Sequence, residues 1–258
     1  MPPSGLAIII GAGPNTALSS KGTGIARILS HPQHGNLAVA LLARRPENLS
    51  SVRQNLSESS PGSVIETFAT DTAAPNLEAA FRRIRAHPSF RELKLRVAVY
   101  SIKHASKKPF MTETRDEFDD SLAQYAGGAF TFAQEALRLF FEHHGESPLA
   151  ETGRKKGTLI FTGTLGALRC SAEFAAYGAG RASVRQLAQT LAREMSPKGI
   201  HVVHTIANGI IEDRKGEEQR LGKRMSADAV GETYLWLSRQ EPELWTHELD
   251  MRPAAEKF

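Results

Sequence analysis

Leu6-Ala7-Ile8-Ile9-Ile10-Gly11-Ala12-Gly13-Pro14 stands almost at the start of the chain, and its reading decides the fold. Five apolar residues, rich in β-branched types, predict a buried strand. Glycines follow at once. After Asn15 to Lys21, the segment Gly22-Thr23-Gly24-Ile25-Ala26-Arg27-Ile28-Leu29 starts a helical pattern. Strand, glycine turn and helix form the first half of a dinucleotide-binding unit. Glycines there let the backbone turn tightly and approach a pyrophosphate closely, with the helix N-terminal amides presented to it. Asn15 to Lys21 reads in two ways: folded over the phosphates with Lys21 as an extra cation, or an insertion without that role.

Outward from this unit, strands and helices alternate. Strands are expected at Leu37 to Ala43, Ser63 to Phe68, Leu95 to Tyr100, Gly157 to Phe161, Ile200 to Ile206 and His247 to Met251. Helices are expected at Glu47 to Leu56 (Pro46 at its start), Asn76 to Ala86, Phe118 to His143, Phe174 to Met195 and Ala227 to Leu237. Glu146 to Lys156 reads as a surface loop. The alternation predicts a single α/β domain, residues 1–258, built on a doubly wound parallel sheet of Rossmann type with helices on both faces. Ligands bind such sheets beyond the carboxyl ends of the strands. Gly11, Ser101, Thr164 and Asn208 all fall at such ends.

Composition narrows the setting. At 258 residues the chain can bury one large α/β core. Its only cysteine, Cys170, excludes an intrachain disulfide and suits a reducing compartment; it reads as a small packing residue. The first strand leaves no room for a leader peptide, and no apolar run reaches membrane-span length, so a cytoplasmic protein is expected. The formal charge of +4 is spread along the chain. Lys107-Lys108 and Arg154-Lys155-Lys156 read as solvated surface, since a nucleic-acid site would want a denser stripe with aromatics. No metal-ligand pattern is present.

The chemistry concentrates in Phe174-Ala175-Ala176-Tyr177-Gly178-Ala179-Gly180-Arg181. Residues four apart share a helix face, so Tyr177 and Arg181 point into one pocket. A nearby cation favours the phenolate and makes the tyrosine a better proton donor and acceptor near neutral pH. On the cofactor side, Arg44 and Arg45 follow the second strand, where this architecture meets the adenine ribose. Arginine there suits a 2′-phosphate and so NADP(H) over NAD(H).

Together these motifs, in their order and separation, make the chain resemble the short-chain dehydrogenase/reductase family from Leu6 to about Leu249. The family's glycine turn maps onto Gly11, Gly22 and Gly24 with Asn15 to Lys21 inserted, and its Tyr-x-x-x-Lys onto Tyr177 and Arg181. The resemblance places Gly13, Ile25, Asp71, Ser101 and Ile211 in the cofactor-binding set with Arg44 and Arg45. The family serine, thirteen positions before the tyrosine, is Thr164. Its asparagine maps onto Tyr125. The Asn-Ala-Gly after the fourth strand becomes Ser101-Ile102-Lys103, so Lys103 either crowds the nicotinamide ribose or restores the ammonium missing at Arg181. Pro-Gly after the sixth strand is Asn208-Gly209, and the threonine beyond it is Asp213, a poor neighbour for the cofactor's negative charges unless it points away. Enoyl reductases of this superfamily place their tyrosine seven residues before the lysine; that position is Phe174, which disfavours this type.

The resemblance implies an NADP(H)-dependent oxidoreductase acting on a carbonyl or alcohol of a small organic molecule. Tyr177 would be proton donor or acceptor, with Arg181, Thr164 and Tyr125 around it. A non-redox enzyme on the same fold (isomerase, dehydratase or cyclase) and a catalytically silent homologue stay open, because so many positions depart from the pattern. The two long helices imply a homodimer or homotetramer; Phe130, Phe132, Leu137, Phe140 and Phe141 look too apolar for solvent, although burial against the sheet accounts for part of this. Ile210 to Arg224, where the family carries its substrate loop, is short and charged.

Overall fold

The computed structural model describes residues 2–11, 19–103, 106–213 and 216–256, with backbone alone for residues 19–22. The strands β1 (Leu6–Ile10), β2 (Ala38–Ala43), β3 (Ile65–Ala69), β4 (Leu95–Tyr100), β5 (Gly157–Gly163), β6 (Ile200–Ala207) and, at the far end of the chain, Glu248–Met251 form one sheet. Every pairing is parallel, and the chain reverses direction across the sheet between β1 and β4. Two short strands, β7 (Ile211–Glu212) and β8 (Met225–Ser226), pair separately, which makes Glu248–Met251 β9.

Why β1 reads as an unbroken apolar run is visible in its packing. Leu6, Ile8 and Ile10 face one core, while Ala7 and Ile9 face the other. Side chains alternate along a strand, so a sheet covered on both faces needs apolar residues at every position. Burying each of these isoleucines contributes about 1.5–3 kcal/mol. Helices α1 (Ser19–Ser30) and α2 (Pro46–Ser59) cover one face, with Ile25, Leu29, Leu49 and Val52 in its core. Helix α3 (Ala74–Ala86) covers the other, with Leu77, Phe81 and Ile84. Pro46 and Pro75 sit in the first turns of α2 and α3, where a missing N–H costs nothing.

The helix expected at Phe118 to His143 is longer and interrupted. It begins as α4 (Arg115–Leu122), capped by the reciprocal Thr114–Glu117 pair. It then passes through a π-helical turn, Ala123–Gly127, and continues as α5 (Gly128–His144). Phe132 and Phe140 are core residues, Leu137 and Phe141 pack partly against the core, and Phe130 is exposed. Burial within the chain therefore accounts for most of that helix's aromatic content. A short α6 (Leu149–Thr152) lies in the expected loop. Helix α7 (Ala175–Met195) lies on the face of α3 and α5; after the one-turn α8 (Glu217–Arg220), α9 (Ala227–Arg239) lies on the opposite face.

Two expectations are corrected here. Lys155 and Lys156 are not solvated surface: Lys155 Nζ donates to the carbonyls of Ser238 and Gln240, both at 2.8 Å, and buried Lys156 to those of Ser147 and Lys198, both at 2.6 Å. The Ser238, Gln240 and Lys198 carbonyls lie where helical turns end, and cations are favoured there. Cys170, expected to be a packing residue, is exposed. Among the described residues no helix is long and apolar enough to cross a membrane.

Candidate functional site

Helix α7 starts directly after Phe174, and its first turn is held from outside. The Ala176 N–H donates to Glu113 Oε2 at 3.2 Å, and the Ala176 carbonyl accepts from Ser121 Oγ at 3.0 Å. These bonds fix Tyr177, whose hydroxyl lies 2.6 Å from Thr164 Oγ1 at the end of β5. The thirteen-residue spacing read from the sequence thus becomes a hydroxyl–hydroxyl contact. Gly166 makes it sterically possible, since a Cβ there would sit 2.5 Å from Tyr177 Cε1. Of the four tyrosines in the chain, Tyr100, Tyr125 and Tyr234 are fully buried, and only Tyr177 is half-exposed. Burial pushes the Tyr234 phenol up to about 12, although the Thr162 and Thr205 hydroxyls bind it, and pushes the Tyr100 phenol up as well. Neither ionises near neutral pH.

Arg181 shares the Tyr177 face, but it does not address the hydroxyl. Its guanidinium carbon lies 5.4 Å from the Tyr177 ring centroid and 4.5 Å from that of Tyr125, a double cation–π contact. Nη1 donates to the Thr162 carbonyl at 2.9 Å and Nη2 to the Ile102 carbonyl at 3.1 Å. The side chain is 2% exposed, and no carboxylate among the described residues pairs with it. One planar cation therefore ties the ends of β4 and β5 together beneath Tyr177. A lysine ammonium could not span these acceptors in the same fixed fork.

Tyr125 sits in the π-helical turn, fully buried, its ring edge-on to Tyr177 at 6.1 Å. Gly180 of α7 accommodates it, since a Cβ at that position would lie 2.5 Å from Tyr125 Cδ2. The π turn thereby brings an aromatic ring under Arg181. Single-turn π insertions of this kind gather at functional sites.

The cofactor-side positions line the carboxyl edge of the sheet. Gly11, at φ +99°, packs so closely that a Cβ would lie 2.0 Å from the Ser101 carbonyl oxygen. Ser101 Oγ is buried there without a partner. Arg44 and Arg45 are exposed beyond β2. Asp71, beyond β3, accepts from the Ala73 N–H at 3.0 Å and from Asn76 Nδ2 at 2.9 Å, which anchors the start of α3. Lys103 is half-buried. Gly24 lies inside α1 against α9, where a Cβ would meet the Ala227 carbonyl at 2.2 Å. Ile25 and Ile211 are core side chains, so only their backbone can face a ligand. Asp213 pairs with Arg27 at 3.2 Å, and Arg27 also holds Asp228 at 2.6 Å. Gly22 contributes backbone to the first turns of α1; Gly13 and most of the Asn15–Lys21 segment lie outside the described residues.

Sequence reasoning missed a group beneath α7: Arg185, Glu248 and His204, joined by hydrogen bonds. A second arginine four residues after Arg181 was the available signal. His247 holds the Val202 carbonyl through Nδ1 at 3.0 Å.

The family model described as Enoyl-(Acyl carrier protein) reductase matches residues 17–241. No curated protein matches the chain. Among solved structures, a short-chain dehydrogenase from Rhodopseudomonas palustris is 25% identical, with TM-score 0.76 over 98% of this chain and 100% of that one. A 3-oxoacyl-(acyl-carrier protein) reductase from Brucella melitensis is 16% identical, with TM-score 0.77 over 99% of each chain. An alcohol dehydrogenase from the archaeon Thermococcus sibiricus, complexed with 5-hydroxy-NADP, is 18% identical, with TM-score 0.74 over 98% of each. At such identities the last two speak for the fold alone. With the family model spanning most of the chain, the parallel sheet reversing at β1–β4, and Tyr177 set against Thr164, this protein belongs to the short-chain dehydrogenase/reductase family.

Proposed function

We propose that the protein is an NADP(H)-dependent oxidoreductase that reduces a carbonyl, or oxidises an alcohol, on a small organic molecule. The observation that carries this reading is Tyr177, the one tyrosine reachable from solvent, with its hydroxyl 2.6 Å from Thr164 Oγ1. A substrate oxygen seated beside both hydroxyls would be oriented by Thr164 and would exchange a proton with Tyr177. Arg181 keeps a fixed positive charge below the phenol ring. Tyr125 acts as a buried wall that supports Arg181.

The residues at the sheet edge fit a phosphorylated dinucleotide. The exposed Arg44 and Arg45 beyond β2 suit a 2′-phosphate, while Gly11, closed against the Ser101 carbonyl, shapes the turn after β1. When bound, the cofactor supplies or accepts the hydride. The Thermococcus sibiricus relative, complexed with an NADP derivative, supports the same preference. One observation favours a non-redox reading: Arg181 spends two of its donors on main-chain carbonyls.

Calorimetric titration separates these readings. NADPH is expected to bind at least about tenfold more tightly than NADH, a difference of roughly 1.4 kcal/mol, and Arg44→Ala with Arg45→Ala should erase it. Binding of neither nucleotide by the folded protein would hand the lead to the non-redox reading.

A further inference from the structure

Two polar atoms beneath α7 are buried and have no hydrogen-bond partner: Nε of Arg181, a donor, and Nε2 of His204. His204 lies on β6, 1% exposed, in register with Glu248 of β9. Its Nδ1 is 3.2 Å from Glu248 Oε2. Glu248 in turn receives Arg185 Nε at 2.6 Å and Nη2 at 2.8 Å. That bidentate pair holds the Glu248 carboxyl below the usual carboxylate range, so it is ionised and only accepts. The proton between Glu248 and His204 therefore belongs to Nδ1, which leaves a lone pair on Nε2.

Nε2 is turned toward Gly163, where a Cβ would lie only 2.3 Å from it. Arg181 Nη1 binds the carbonyl of Thr162, the residue before. Arg181, through Nη1, and His204, through Nε2, thus both reach the last two residues of β5, directly before Thr164. Buried polar atoms left unpaired cost roughly 1–3 kcal/mol each, and one internal water between them would satisfy both.

We propose that His204 is a positioning residue for Arg181: its Nε2 lone pair accepts the Arg181 Nε–H through one internal water. A chain Arg185–Glu248–His204–water–Arg181 then fixes the guanidinium beneath Tyr177. The charged groups around the imidazole are Glu248 from β9 and Arg185 and Arg181 from α7. Burial, with the two cations adding to it, outweighs the carboxylate and pushes the imidazole down to about 4, so it stays neutral at physiological pH. The service of this chain to catalysis rests on the oxidoreductase reading; the chain itself does not.

The test is nuclear magnetic resonance of the full-length protein with nitrogen-labelled histidine and arginine at pH 7. The His204 ring is expected protonated on Nδ1 and bare on Nε2, and the Arg181 Hε signal is expected to exchange slowly with solvent. His204→Phe should speed that exchange at least about tenfold, whereas His204→Gln, whose amide oxygen reaches the place of Nε2, should restore slow exchange. A ring protonated on Nε2, or wild-type Hε exchange in His204→Phe, overturns the proposal. Should either variant fail to fold, the wild-type sample decides: cross-relaxation between Arg181 Hε and a long-lived internal water is expected, and its absence overturns the proposal. NADPH titration of the same wild-type sample tests the oxidoreductase reading separately: failure to bind would overturn that reading while leaving the tautomer result untouched.

Discussion

In the proposed reaction Tyr177 and Arg181 would divide the work that a tyrosine–lysine pair would share. The phenol meets Thr164 and solvent, while the guanidinium is spent on structure below it. Tyr177→Phe keeps the ring and its contacts with Phe174 and Tyr125, so the fold should survive. Turnover of an established substrate should fall about 10²–10⁴-fold, read from kcat at unchanged circular dichroism. Arg181→Met sets two effects against each other. Removing a buried charge that has no carboxylate partner among the described residues recovers part of its desolvation cost, whereas stranding the Thr162 and Ile102 carbonyls costs roughly 1–3 kcal/mol each. The expected result is stability within about 2 kcal/mol of wild type in urea, with activity lost. A drop well beyond that would mean the cation is a net stabiliser of the fold. The residue types and spacings of this pair were legible in the sequence. The guanidinium's choice of partner was not, because its acceptors are main-chain carbonyls brought near by the sheet.

At the scale of elements, helices and strands were legible wherever both neighbours bury them. The π-helical turn was hidden, since one extra residue in a turn barely disturbs an amphipathic pattern read over Phe118 to His143. Strand β6 carries a pH dependence that no pattern announces. Burial pushes His201 and His204 down to about 4, against an ordinary value near 6.5. Folding therefore favours their neutral forms. Their stabilisation is complete above about pH 6.5 and is lost as pH falls toward about 4, because the unfolded chain binds more protons. Each contributes on the order of 3 kcal/mol over that window. Urea midpoints should fall from pH 7 to pH 4.5, and His204→Gln should flatten the slope. A midpoint unchanged over that range would remove both histidines from the account.

Taken whole, the molecule follows its sequence in the order of strands and in the two-sided core, because alternation of strand and helix leaves few ways to cover a parallel sheet. The crossing of Gly11 and Ser101 was legible as motif positions, but the closeness of their backbones was not. Self-association belongs to this scale. Phe130 on α5 and Trp236 on α9 are 53% and 52% exposed, on helices that lie on opposite faces of the sheet. A dimer or tetramer is expected in light scattering at micromolar concentration, and a monomer there would count against both faces as contacts. The clamp beneath α7 has a consequence for the chain's history. Its acceptors at positions 102 and 162 are peptide oxygens, which every amino acid supplies. Lineages can therefore exchange side chains at 102 without any compensating change at 181, and a coupling central to the architecture would leave no correlated pair in a comparison of descendants.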